Sequence, residues 1–179
     1  MTMTPRLRKF TLTAHVASSV GWFGAVAGFL ALAVAGLASQ DDQTARAAYL
    51  AMELIAWFVI APLSLASLVT GLIQALGTNW GLFRYYWVVA KLSINVVATL
   101  ALLLWLPSIS YLASVAARTA LSDVDLGWPQ AEAAMRAGGA LLLLLAATAI
   151  AVYKPWGVIR YGWRKQDVKG PDLGHREKM

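Results

Sequence analysis

The sequence predicts an all-α protein, an integral membrane antiparallel four-helix bundle with both flanks in the cytoplasm, and three observations carry that expectation. Of its 179 residues 59% are apolar and only 13% charged, with a positive mean hydropathy, which lies outside the ordinary soluble range. Runs with little or no charge cover 10–39, 49–76, 86–106 and 138–153. The first three reach the roughly 20 residues needed to cross a hydrocarbon core of about 30 Å. Lys and Arg, finally, gather at alternate connections: Arg6, Arg8 and Lys9, then Arg84, then seven basic residues from Lys154 to Lys178. Under the positive-inside rule those flanks are cytoplasmic.

The first span, about 10–38, follows the basic start RLRK. It carries GLAS, a signal-like cleavage pattern, but its apolar run is about twice the length of a signal core, so it reads as retained. The second span, about 48–76, contains Pro62, which removes a backbone bond near its middle and predicts a kink. The short GTNWG turn then forces the third span, about 85–106, into contact with the second. SISYLASVAARTALS can continue that helix beyond a kink at Pro107, and SDVDLGWP reads as an outer turn. Pro129 starts the fourth span, about 132–154, by adding turns before Gly138. A single transmembrane domain over 1–165 is followed by a charged, Gly- and Pro-containing segment, 166–179, which reads as a flexible cytoplasmic tail.

The net charge of +6 is mostly this topology signal. No basic motif interleaved with aromatics points to nucleic acid. The expected surroundings are the lipid bilayer, with a homodimer or another membrane protein as the open partner. The absence of cysteine excludes disulfides, thiolate metal sites and covalent haem attachment.

Two ionisable residues, His15 and Lys91, lie inside otherwise uncharged spans. Such groups are expensive in a bilayer and generally face a bundle interior, a cavity or a cofactor. Helical spacing puts His15, Ser18, Ser19 and Trp22 on one face, Ser64, Ser67, Gly71 and Gln74 on a second, and Trp87, Lys91, Asn95 and Thr99 on a third. Gly24 and Gly28 offer small-residue spacing for close helix approach. His15 is six residues beyond Lys9, and Lys91 seven beyond Arg84, about 9 and 10 Å at 1.5 Å per residue. A polar cavity in the cytoplasmic half, among the first three helices, is therefore expected. The plainer readings stand beside it. Lys91 can snorkel to the headgroups, His15 can be a neutral interhelical hydrogen-bonding group, and several of the eight tryptophans fit an aromatic belt. Glu53, a third embedded ionisable group, fits solvation at the outer interface.

His15 with Trp22-Phe23-Gly24, Pro62 with Gly71, Trp87 with Lys91, and the VYKPWG ending together resemble the HemJ-like and CopD-like superfamily of four-helix bacterial integral membrane proteins, above all its uncharacterised members. That resemblance implies the bacterial cytoplasmic (inner) membrane and a b-type haem or porphyrin used for redox chemistry. Carried over, the cofactor-binding residues are His15, Lys91, Trp22, Trp87, Ser67, Gly71 and Asn95, with His15 as metal ligand and no catalytic residue assigned. Lys91 is then either a second ligand or a propionate partner. The chain departs from the HemJ pattern where AAMRAGG replaces an Asn-Glu-x-Pro-like element, and its only other histidine is His175. A bis-histidine haem within one bundle is thereby excluded. The competing expectations are a cofactor-free assembly or interaction protein and a small transporter component, the latter requiring a dimer.

Overall fold

A computed structural model describes residues 3–77, 85–118 and 127–153. The GTNWG turn beyond Gly77, most of the outer turn, all of VYKPWG beyond Tyr153, and the 166–179 segment lie outside the described residues. The chain forms α1 (Pro5–Ala38), α2 (Asp42–Ile55), α3 (Ala61–Gly77), α4 (Tyr86–Arg118) and α5 (Gly127–Tyr153). With α2 and α3 taken as one rod, the described residues contain four helices long and apolar enough to cross a membrane. Large apolar side chains such as Phe10, Phe58, Leu104 and Leu142 point outward, the pattern of a helical protein whose solvent is lipid.

Each helix runs beyond the apolar stretch that announces it, because caps and polar turns extend it past the hydrocarbon span. Thr4 caps α1, with Pro5 in the first turn, where its missing N–H costs nothing. Asp41 caps α2 by accepting from the Thr44 amide at 2.9 Å and the Thr44 hydroxyl at 2.6 Å. These bonds hold the exposed Asp41 carboxyl below its ordinary pKa. Its capping contribution is present above that ordinary pKa and fades as pH falls through the lowered one.

Pro62, where a kink is expected, follows a change in the helical hydrogen-bond pattern. Immediately before it, Ala56–Ile60 form a π-helical turn joining α2 to α3, in which the Ala61 N–H reaches back to the Ala56 carbonyl. Pro62 can neither donate to the preceding turn nor tolerate its carbonyl, and the wider turn accommodates both defects. Pro107, by contrast, lies inside α4, which continues unbroken to Arg118.

Helices α1 and α4 each pack on the α2–α3 rod and on α5, so they stand across the bundle from one another. Trp22, Val26, Phe29 and Ala33 of α1 form one wall of the core, facing Ile60, Leu106, Ile109, Ala137 and Leu144. Phe29 meets Trp105 edge-on at a centroid distance of 5.9 Å. Along α1 and the α2–α3 rod the contacts pair Gly36 with Tyr49, Gly21 with Leu63, His15 with Ser67 and Thr11 with Gln74.

The close approaches use other glycines than the spacing predicts. Gly24 and Gly28 are exposed, and a Cβ at either would meet nothing within 4 Å. A Cβ at Gly36 would lie 2.8 Å from the ring of Tyr49, which is itself 1% exposed and has nowhere to swing. Gly36→Ala is therefore expected to lower stability by about 1–3 kcal/mol through overpacking. Gly24→Ala is expected to be neutral or to stabilise by up to about 1 kcal/mol through helix propensity. Unfolding of the two variants in detergent micelles checks the contrast.

Candidate functional site

Between α1, α3 and α4 lies a cavity of about 270 Å³. Its polar lining is His15 from α1, Gln74 from α3, and Trp87, Lys91 and Asn95 from α4, with Gly71 of α3 beside the imidazole. The four-residue steps from Trp87 to Lys91 to Asn95 put all three on one face of α4, which explains their meeting here. Aliphatic side chains complete the walls, and two of them, Leu12 and Val16, are exposed, so the cavity is open at its rim.

His15 is 9% exposed and held in one orientation. Its Nδ1 lies 3.0 Å from the Ser67 carbonyl and 3.2 Å from the Thr70 hydroxyl oxygen. A carbonyl can only accept, and the Thr70 hydroxyl already donates to the Ala66 carbonyl at 2.6 Å. Both neighbours therefore accept from Nδ1, so Nδ1 carries a proton. In the neutral ring this leaves Nε2 as a bare lone pair, with no hydrogen-bond partner among the described residues, on a ring that lines the cavity. Gly71 makes the placement possible: a Cβ there would sit 3.0 Å from Cε1 of the imidazole.

Lys91 lines the same cavity as His15. It makes no hydrogen bond or ion pair with the described residues. Behind the cavity a buried polar chain joins three helices. The Ser67 hydroxyl meets Ser19 at 2.8 Å and accepts from the Asn95 amide at 3.3 Å. Thr99 donates to Asn95 at 3.5 Å, and Gln74 donates to the Thr11 carbonyl at 2.9 Å.

Of the residues singled out in the sequence, His15, Gly71, Trp87, Lys91 and Asn95 border one cavity. Ser67 stands behind it, touching His15 through its backbone rather than its side chain. Trp22 is elsewhere. Two turns along α1 from His15, it lines a second, apolar cavity with Phe29 and Trp105. Seven residues keep Trp22 on the same helical face as His15 but move it about 10 Å along the axis. Thr70 is missed by sequence reasoning, although a hydroxyl three residues after Ser67 and beside Gly71 was its available signal. Arg136 falls within the expected fourth span and is inside α5, where it pairs with Glu132 one turn earlier.

These features define a class: a multi-pass helical membrane protein whose bundle holds a cavity bordered by an oriented imidazole and a lysine. No family model, curated protein or solved structure matches this chain.

The donor set can be tested against a haem. Among the described residues no three His, Cys, Asp or Glu side chains come together, so an ion held by His15 needs its further donors from the bound group, as a porphyrin supplies. The imidazole has the pattern usual for a ligating histidine, with its second nitrogen fixed by a carbonyl. The volume of about 270 Å³ is just below the roughly 300–1,000 Å³ usual for small-molecule sites, and the cavity is open at Leu12 and Val16. The residues fit the group.

Proposed function

We propose that this protein binds haem or a related metalloporphyrin in the His15–Lys91 cavity and serves a redox role in the membrane. The observation that carries the reading is the Nδ1 bond to the Ser67 carbonyl, which leaves a bare Nε2 lone pair on a ring that lines the cavity. His15, through Nε2, would hold the iron. Lys91, a cation with no anionic partner among the described residues, would pair with a carboxylate of the bound group. Trp87, Asn95 and Gly71 would line its site. Bound haem supplies one-electron chemistry, and the chain supplies ligation, orientation and shelter from water.

The topology proposed with it is an antiparallel bundle with both flanks cytoplasmic, in a bacterial inner membrane. The reversed order of the α1 contacts along the α2–α3 rod supports the first part. The basic residues beside alternate spans support the second. On this reading the cavity opens in the cytoplasmic half of the bilayer.

The absorption spectrum of protein purified from haem-sufficient cells tests the function. A Soret band is expected, or its appearance at one equivalent when haemin is added. Colourless protein that takes up no haemin leaves the cofactor-free reading, which one observation favours: the His15 bonds also tie α1 to α3.

A further inference from the structure

The second cavity, also about 270 Å³, lies between α1, α4 and α5, beside the π turn. Its walls are nearly all apolar and rich in aromatic rings: Trp22, Phe29 and Trp105, with Ile60 from the π turn. The one charged group in the lining is Arg136, whose guanidinium lies 5.5 Å from the centroid of the Trp105 ring. Gly139, Ala101 and Leu143 in the same lining are exposed, so the cavity opens sideways between α4 and α5, onto the membrane.

The chemistry of the rim narrows the occupant. Nε and Nη2 of Arg136 both donate to a single oxygen of Glu132. That pair is electrically neutral as a unit, so an anionic headgroup gains little from it, while Nη1 has no hydrogen-bond partner among the described residues. An uncharged carbonyl oxygen is the acceptor such a donor suits. Flat ring edges favour a planar ligand, and the lateral opening favours one with a long apolar tail left in the bilayer. We infer that this cavity binds the ring of a lipid-soluble quinone, with a carbonyl accepting from Arg136. The inference is independent of haem in the other cavity.

Two adjacent glycines give a matched test. A Cβ at Gly138 or at Gly139 meets nothing within 4 Å, but only Gly139 lines the cavity. Full-length protein in phosphatidylcholine nanodiscs is titrated with decylubiquinone while tryptophan fluorescence is followed. Saturable quenching is expected, weakened roughly tenfold or more by Gly139→Leu, which fills the ligand's volume, and unchanged by Gly138→Leu. Both variants are expected to keep their helices, since neither added Cβ meets a neighbour, and circular dichroism and thermal midpoint separate blocked binding from misfolding. Decylbenzene, which lacks the carbonyls, is expected to compete roughly tenfold less well. Non-saturable quenching, equal effects of the two variants, or equal competition by decylbenzene overturns the assignment. Displacement by phosphatidylglycerol in preference to quinone overturns it in favour of an anionic lipid site.

Discussion

His15→Ala is expected to abolish haem retention, lowering haemin affinity by more than about 100-fold, because even indirect changes around a metal-bound histidine cost about 10–100-fold. The size of the effect follows from the donor count. Among the described residues nothing else near the cavity can replace an imidazole nitrogen: Gln74 and Asn95 are weak amide donors, and Lys91 is a cation unless deprotonated. Graded variants around the ring separate ligation from packing. Thr70→Val removes one of two acceptors at Nδ1 and leaves the Ser67 carbonyl, so about tenfold is expected. Gly71→Ala sets a methyl group 3.0 Å from Cε1 and displaces the ring it touches. Lys91→Arg keeps a propionate partner and is expected to retain the band, whereas Lys91→Ala weakens it. The decisive measurement is haemin titration beside thermal stability for each variant. If stability falls while haemin affinity stays level across the series, His15 is a packing residue and the haem reading fails.

How much of this could be read from the chain differs by level. Four membrane-crossing helices follow from runs of apolar residues, since hydropathy is local and additive. The shared face of Trp87, Lys91 and Asn95 follows from helical period alone, and the similar depth of His15 and Lys91 from counting residues in from the basic flanks. The period could not say that Trp22, in phase with His15, belongs to another cavity, because phase fixes a face and not a level. Nor could spacing choose among the glycines. Gly24 and Gly28 have the small-residue interval, yet contact falls at Gly36 and Gly71, where a tyrosine and a histidine from the neighbouring helix need the room. Pro62 signalled a disturbance, but a proline alone does not specify a π turn, which here spans Ala56–Ile60 with Trp57 donating to Ser110 of α4 at 3.0 Å. The fixing of the imidazole was invisible for a different reason: its main partner is a backbone carbonyl, a group every residue possesses.

Ser67 provides the second large effect, and it separates the two roles of one residue. Its side chain is 1% exposed and bonded to Ser19 and Asn95, while its carbonyl holds His15. Ser67→Leu forces a larger group into a closed space and strands two polar partners, so a loss of about 3 kcal/mol is expected. Ser67→Ala removes two interhelical bonds, each worth about 0.6 kcal/mol in a bilayer, for a loss of about 1 kcal/mol. The alanine variant keeps the backbone carbonyl, so it is expected to retain haemin affinity within about twofold of the native chain despite its lower stability. Unfolding in mixed micelles, read alongside haemin titration, gives both quantities on one sample. A loss of affinity in Ser67→Ala as deep as in His15→Ala would move the anchor of the imidazole from that carbonyl to the hydroxyl chain linking α1, α3 and α4.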